Sequence, residues 1–314
     1  MQLSNIDIRD ALFDTIYDIA TRDRDLVFLT DDMDAFSLRR FKQDMPDQFI
    51  NIGVAEQNMI NVAAGLATCG KKVFAYGIAS YVTMRCLEQI KVNLCSMNLP
   101  VSIIGVGPGF SFEYDGPTHH GVQDVSLMRS LPEMSIYNLS DISLATASAH
   151  LAYQADGPVY IRLDKGKFPD FSEGTESFSQ GFRILKPLSE LNIVSTGFMT
   201  LRAMAAAEEL EKRSINAGVV DLYRLKPIDD AFFAQVIGPS KRIVTLEENS
   251  IIGGIGSIVT EVAADKQSDV KVHRIAVEDR QFLAYGRREW HHQNLGIDLD
   301  SVVNTIAEIA TPSR

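Results

Sequence analysis

Apolar residues come along this chain in two alternating rhythms. Short, dense runs such as DLVFLTDD (residues 25–32), KKVFAYGI (71–78) and PVSIIGVG (100–107) have the length of strands buried on both faces. Between them the spacing lengthens to three and four. In SYVTMRCLEQIKVNLC (80–95), Val82, Leu87, Ile90 and Leu94 fall on or near one helical face. MSIYNLSD, ISLATASAHLAYQ and GPVYIRLDKG carry the alternation on to residue 166. It then breaks: KGKFPDFSEGTESFSQGFRILKPLSE (165–190) is rich in Gly, Ser, Pro and charge, and its first part reads as a linker. Strand-like LNIVSTG, AGVVDLYRLKP, KRIVTLEEN and VKVHRIAV follow, with helix-like LRAMAAAEELEKRS among them and an amphipathic IDLDSVVNTIAEIA at the end. The expected class is α/β: two doubly wound domains with mostly parallel sheets, over residues 1–170 and 186–314, joined by a linker at 171–185.

Composition narrows the function without choosing it. The 314 residues carry a net charge of −11, which disfavours a nucleic-acid partner. Neither a signal-peptide core nor an apolar run long enough to span a bilayer is present. The three cysteines, Cys69, Cys86 and Cys95, lack metal-type spacing, and an odd number suits a reducing compartment, so the expected location is cytoplasmic.

Ligands of open parallel sheets bind at the carboxyl ends of the strands. The unusual residues gather in the loops that follow such runs. In GVAEQN (53–58), Glu56 enters an apolar helix, where it is either a solvated first-turn acid or a group that meets a ligand. YDGPTHHGVQD (114–124) crowds Asp115, Thr118, His119 and His120 after a turn, and histidines there suit proton transfer near neutral pH. It reads equally as a turn with two solvated histidines and Asp124 as a helix cap. Tyr81, Met84 and Leu87 make a stripe that reads first as core packing. Gly253, Gly254 and Gly256 open a helix without the spacing of a dinucleotide fingerprint, which favours close helix–sheet packing with no ligand. His291 and His292 read as solvated helix residues without a role.

Taken in order, GVAEQNM, Y…R..LEQI, DGPTHHGVQDVSLMRSLPEM, GPVYIRLDKG and EEN….GGIGS resemble the transketolase family over essentially the whole chain. The match is to the second half of a full-length transketolase: a thiamine-diphosphate-binding pyrimidine domain followed by the transketolase C-terminal domain. The resemblance implies that Glu56 faces N1′ of the cofactor's aminopyrimidine, keeping and sharing a proton there, and that the activated cofactor carries a two-carbon ketol unit from a ketose to an aldose. It implies that Tyr81 stacks on the pyrimidine, with Met84, Arg85 and Leu87 around it, Leu87 standing where an aromatic is common. Asp115 and His119 fall where relatives contact substrate and move protons, with His120 beside them as a further candidate, and Arg162 and Arg9 fall where relatives reach a sugar phosphate or the mouth of the site. The segment GVGPGFSFEY (105–114) lacks the usual basic residue, so a phosphate handle is less expected here than in relatives, and Glu113 and Tyr114 could suit a less anionic or a modified sugar.

The chain has no G-D-G element of the kind that holds diphosphate and Mg²⁺ in this family. The resemblance therefore implies a separate N-terminal subunit, the cofactor at the interface, Mg²⁺ held mainly by that subunit, no metal ligand in this chain, and a heterotetramer of two copies of each. Alternatives are the β subunit of a 2-oxo-acid dehydrogenase E1 component, an enzyme like the deoxyxylulose-phosphate synthases, and a non-catalytic structural or regulatory subunit.

Overall fold

The computed structural model describes residues 3–172 and 178–311. Its strands in chain order are β1 (Leu3–Asp7), β2 (Leu26–Thr30), β3 (Phe49–Asn51), β4 (Lys72–Ile78), β5 (Val101–Val106), β6 (Ser135–Asn138), β7 (Val159–Leu163), β8 (Lys167–Pro169), β9 (Phe182–Lys186), β10 (Leu191–Ser195), β11 (Gly218–Leu222), β12 (Arg224–Lys226), β13 (Arg242–Ser250) and β14 (Lys271–Val277). They form a seven-stranded sheet in the order β12-β6-β7-β5-β4-β2-β3, a five-stranded sheet in the order β14-β13-β10-β11-β9, and a small pair β1-β8.

Within each large sheet only the β12 and β9 edges run antiparallel. β2, β5 and β7 are buried at every position, which is why they read as continuous apolar runs. One apolar cluster lies beneath one face of the first sheet and runs on into the second region, joining Val27, Ile60 and Ile103 to Val220, Phe232 and Ile258. A second covers the other face of the first sheet, from Ile8 and Phe13 to Ile161.

Local chemistry sets the helix ends. Asp141 and Asp298 accept backbone bonds from Leu144 (2.8 Å) and Ser301 (3.2 Å) at the starts of their helices. The helix Glu56–Thr68 stops before Gly70, whose φ of +88° closes the turn.

Three features differ from the sequence expectation. Residues 182–186, largely within the stretch read as a linker, form β9, while residues 173–177 of that stretch lie outside the described residues. β12 comes from the second half of the chain yet completes the edge of the first sheet, pairing Arg224 with Tyr137. The expected regular helix over 80–95 contains two π-helical turns, Tyr81–Arg85 and Ile90–Cys95, around a short α-helical turn at Leu87–Gln89. Val82, Ile90 and Leu94 still reach the core, because the apolar demand survives the extra residues in the turns.

Candidate active site

The carboxyl ends of β2, β3, β4, β5 and β7 open on one rim, and the candidate residues stand there. Gly53, at φ +75°, turns the chain out of β3, with its N–H donating to Asn51 at 2.9 Å, so that Glu56 enters the next helix pointing inward. Glu56 is buried. Both its carboxylate oxygens accept from Nη1 of Arg85, at 2.8 and 2.7 Å. The guanidinium of Arg85 lies over the Tyr81 ring, 4.1 Å from its centroid. Tyr81 in turn meets His119: the hydroxyl is 3.2 Å from Nε2 and the ring centroids are 5.1 Å apart. Thr118 holds the other ring nitrogen at 3.0 Å. Glu56, Arg85, Tyr81 and His119 thus form one continuous chain of contacts. The π-helical turn at Tyr81–Arg85 fits a site, since such turns swing a side chain out of helical register. Met84 is half exposed beside them, and Leu87 packs partly against the core.

Asp115 stands exposed on the same loop as His119. Around it a hollow is lined by Ser111, Phe112, Glu113, Tyr114, Lys165 and Arg288. Lys165 sits over the Phe112 ring at 4.1 Å, and Phe112 makes an edge contact with His119 at 5.7 Å. The cations absent from residues 105–114 in sequence are therefore brought to that loop in space, from the turn after β7 and from the helix Arg288–Leu295. Burial pulls the Lys165 ammonium below its ordinary value.

Three expected substrate contacts are committed elsewhere. Arg162 points into the interior, with Nε on Asp124 at 2.7 Å and Nη2 on the carbonyls of Gly121 (2.8 Å) and Glu248 (3.1 Å). It ties β7 to β13 and does not open on the mouth. Asp124, expected as a helix cap, is instead the first residue of its helix and the partner of Arg162 and of the Tyr160 hydroxyl. Arg9 pairs with Asp7, whose carboxylate also accepts from Gly166. His120 is buried, with Nε2 on the Glu113 carbonyl at 3.2 Å and Nδ1 without a partner, and burial pulls its imidazole down.

His291 and His292 correct the sequence reading: both are fully buried. His291 stacks on Phe110 at 4.7 Å, and His292 is 2.5 Å from Glu248. Glu248 also accepts from Arg288 and, at 3.2 Å, from the Phe110 N–H. Asp164 takes Arg288 at 2.7 Å and the Ser111 hydroxyl at 2.8 Å. This network pins the loop carrying Asp115 and His119 against the second sheet. The glycine turn at residues 253–256 is likewise filled from within: Glu247 accepts from the Ile255 and Gly256 amides, both at 2.8 Å. A side chain at Gly254 would collide with that carboxylate. Among the described residues, no three His, Cys, Asp or Glu side chains converge as a metal site, and no helix is long and apolar enough to cross a membrane.

Asp31, at the end of β2, went unnoticed in the sequence. It is buried, one carboxylate oxygen lacks a partner, and a side chain on Gly77 would collide with the other. Burial, with the Glu56 carboxylate nearby, pushes Asp31 up to about 7. The folded chain therefore keeps a proton that the unfolded chain, with an ordinary value of 3.8, releases. Stability from this group is greatest at the acid end of the window and falls as pH rises from about 4 to about 7, by about 1.4 kcal/mol per pH unit. Urea unfolding at a series of pH values should show this fall in the wild type and a flatter profile in Asp31→Asn; equal slopes would disprove the assignment.

Residues 4–170 match the family description "Transketolase, pyrimidine binding domain", and residues 181–302 match "Transketolase, C-terminal domain". The chain belongs to the transketolase family, transferases that depend on thiamine diphosphate. Within it, the chain is similar to subunits of two-chain members. It is 33% identical over 304 residues to the 6-deoxy-6-sulfo-D-fructose transketolase subunit SqwH of Clostridium sp. (strain MSTE9), covering 96% of this chain and 94% of that one. It is 31% identical over 303 residues to an apulose-4-phosphate transketolase subunit of Phocaeicola vulgatus, covering 96% of each. A split-gene transketolase solved as an inactive β4 tetramer superposes with a TM-score of 0.86 at 32% identity, over 99% of this chain and 100% of that one. The 1-deoxy-D-xylulose-5-phosphate synthase of Bacillus cereus (strain AH820) shares 33% identity over 302 residues, 93% of this chain but 47% of that enzyme.

Proposed function

We propose that this chain is the C-terminal subunit of a two-chain transketolase that moves a ketol unit from a ketose to an aldose, with the cofactor's aminopyrimidine seated between Glu56 and Tyr81. The observation that carries the reading is the pairing of a buried carboxylate with an aromatic face on one rim, already engaged by a planar donor. A flat ring that hydrogen-bonds and stacks fits those handles. Thiamine diphosphate supplies an electron sink for the two-carbon unit. The chain supplies the rest. Glu56 holds a proton at the pyrimidine nitrogen, and Tyr81 fixes the ring's plane. Met84 and Leu87 wall the pocket. His119, steadied by Thr118 and Tyr81, moves a proton at the sugar's hydroxyls, and Asp115 orients them. Lys165 flanks the approach, which favours a sugar bearing a terminal anion, while Arg9 stays paired with Asp7. Arg162 and His120 serve from beneath by fixing the loop.

Diphosphate and Mg²⁺ belong, in this reading, to an N-terminal subunit, and the assembly is a heterotetramer of two copies of each chain. Subunit status in the two-chain relatives supports this. So does exposed apolar surface on the first domain, where Val54, two residues before Glu56, is 73% exposed and Met84 is half exposed beside Arg85. A second reading, a reaction like that of the deoxyxylulose-phosphate synthases, draws on the shared 33% identity.

Reconstitution tests the proposal. The chain should be inactive alone and should transfer a two-carbon unit between sugars when mixed with its N-terminal partner, thiamine diphosphate and Mg²⁺. Pyruvate consumption without sugar-to-sugar transfer would replace it with the synthase-like or oxo-acid reading.

A further inference from the structure

We propose that Arg85 is an internal stand-in for the cofactor's aminopyrimidine, and that it sets how readily the site admits that ring. The inference rests on the thiamine-diphosphate reading above.

Both handles assigned to the pyrimidine are taken by one side chain. The Arg85 guanidinium is flat, donates to both Glu56 oxygens at 2.8 and 2.7 Å, and lies 4.1 Å from the centroid of the Tyr81 ring. A pyrimidine making the same hydrogen bond and the same stack would need the same space. The two occupants exclude each other. Their exchange is physically easy in one direction. The Arg85 side chain is 43% exposed against 3% for Glu56, so the arginine can swing into water while the carboxylate stays buried. The backbone need not follow, because Gln57 holds the Arg85 carbonyl at 3.1 Å.

The arrangement also answers a cost. A buried carboxylate without a partner is expensive. With Asp31 close by and one of its oxygens short of a partner, an unpaired Glu56 would face a second acid. Arg85 keeps Glu56 paired in the empty site and gives way to the incoming ring. The consequence is a reduced apparent affinity, because the competent, arginine-out state is only a fraction of the population.

Calorimetric titration of thiamine diphosphate into the reconstituted two-chain complex, in the presence of Mg²⁺, tests this. The expected result for Arg85→Ala is a dissociation constant about tenfold lower than that of the wild type, corresponding to an arginine-out fraction of about one tenth in the wild type. Free guanidinium ion should refill the vacated seat and weaken cofactor binding to the variant, while leaving the wild type unchanged against sodium chloride of equal ionic strength. Arg85→Gln keeps a neutral donor beside Glu56 and gives the same comparison if the alanine variant does not fold. Equal or weaker binding by the variants would overturn the inference and make Arg85 a bystander or a true cofactor contact. No uptake of cofactor by the wild-type complex would overturn the underlying reading itself, and is thereby distinguished from failure of the inference alone.

Discussion

Glu56→Gln in the reconstituted complex is expected to lower the turnover of two-carbon transfer about 100-fold or more, the range ascribed to a positioned proton-transfer group. The substitution is nearly isosteric. It removes the group that holds a proton at the pyrimidine nitrogen and little else. Arg85, the partner it loses, is 43% exposed, so the lost ion pair is screened and the fold should hold. A fall in kcat at saturating cofactor, with an unchanged melting temperature, would mark Glu56 as catalytic. Full activity in the variant would remove Glu56 from the chemistry and restore the case for a non-catalytic subunit.

Glu248→Ala should be the most destabilising single change at the rim. Glu248 is buried and accepts from Arg288, His292 and the Phe110 amide. Truncation leaves Arg288 with Asp164 alone and takes from His292 its buried acceptor, and breaking a buried pair in this way costs about 3–5 kcal/mol. Urea unfolding at neutral pH measures it; a loss below about 1 kcal/mol would show that the network is not coupled to folding. The pH signature is specific. Burial pushes the Glu248 carboxyl up, but Arg288 and His292 outweigh it and hold the group well below the usual carboxylate range. Its folded value lies under the ordinary 4.5, so its stabilisation is fully present above that value and is lost as pH falls below it. The sign is opposite to that of Asp31. The wild type should therefore lose stability on the acid side through Glu248, and Glu248→Ala should not show that component.

The alternating runs showed the α/β architecture plainly, because strands buried on both faces leave dense apolar runs. Glu56 drew notice as an acid at the head of an apolar helix, but that position alone reads as a first-turn acid, and its proposed role came from the resemblance of the whole motif series. The residues that escaped are those whose surroundings come from far along the chain. REWHHQN has the polarity of an exposed helix, yet His292 is buried because Glu248, forty-four residues earlier, meets it there. Arg162 carried a visible signal, an arginine inside the apolar strand VYIRL, which called for a buried counter-ion; Asp124, thirty-eight residues before it, is that partner. Asp31 looked like an ordinary acid closing a strand, since only the fold brings Gly77 and Glu56 against it. The π-helical turns at Tyr81–Arg85 and Ile90–Cys95 leave the apolar spacing almost intact, so periodicity passes over them.

The edge strand Arg224–Lys226 has a consequence for how the chain is made. During synthesis the first six strands of the seven-stranded sheet leave the ribosome well before it does, and until then β6 presents an unpaired edge. More than eighty residues separate Asn138 from Arg224, several seconds of elongation at ordinary rates. Over that interval the nascent amino-terminal half is open to strand addition from a neighbouring copy, and it closes only when the carboxyl-terminal half returns to seal it.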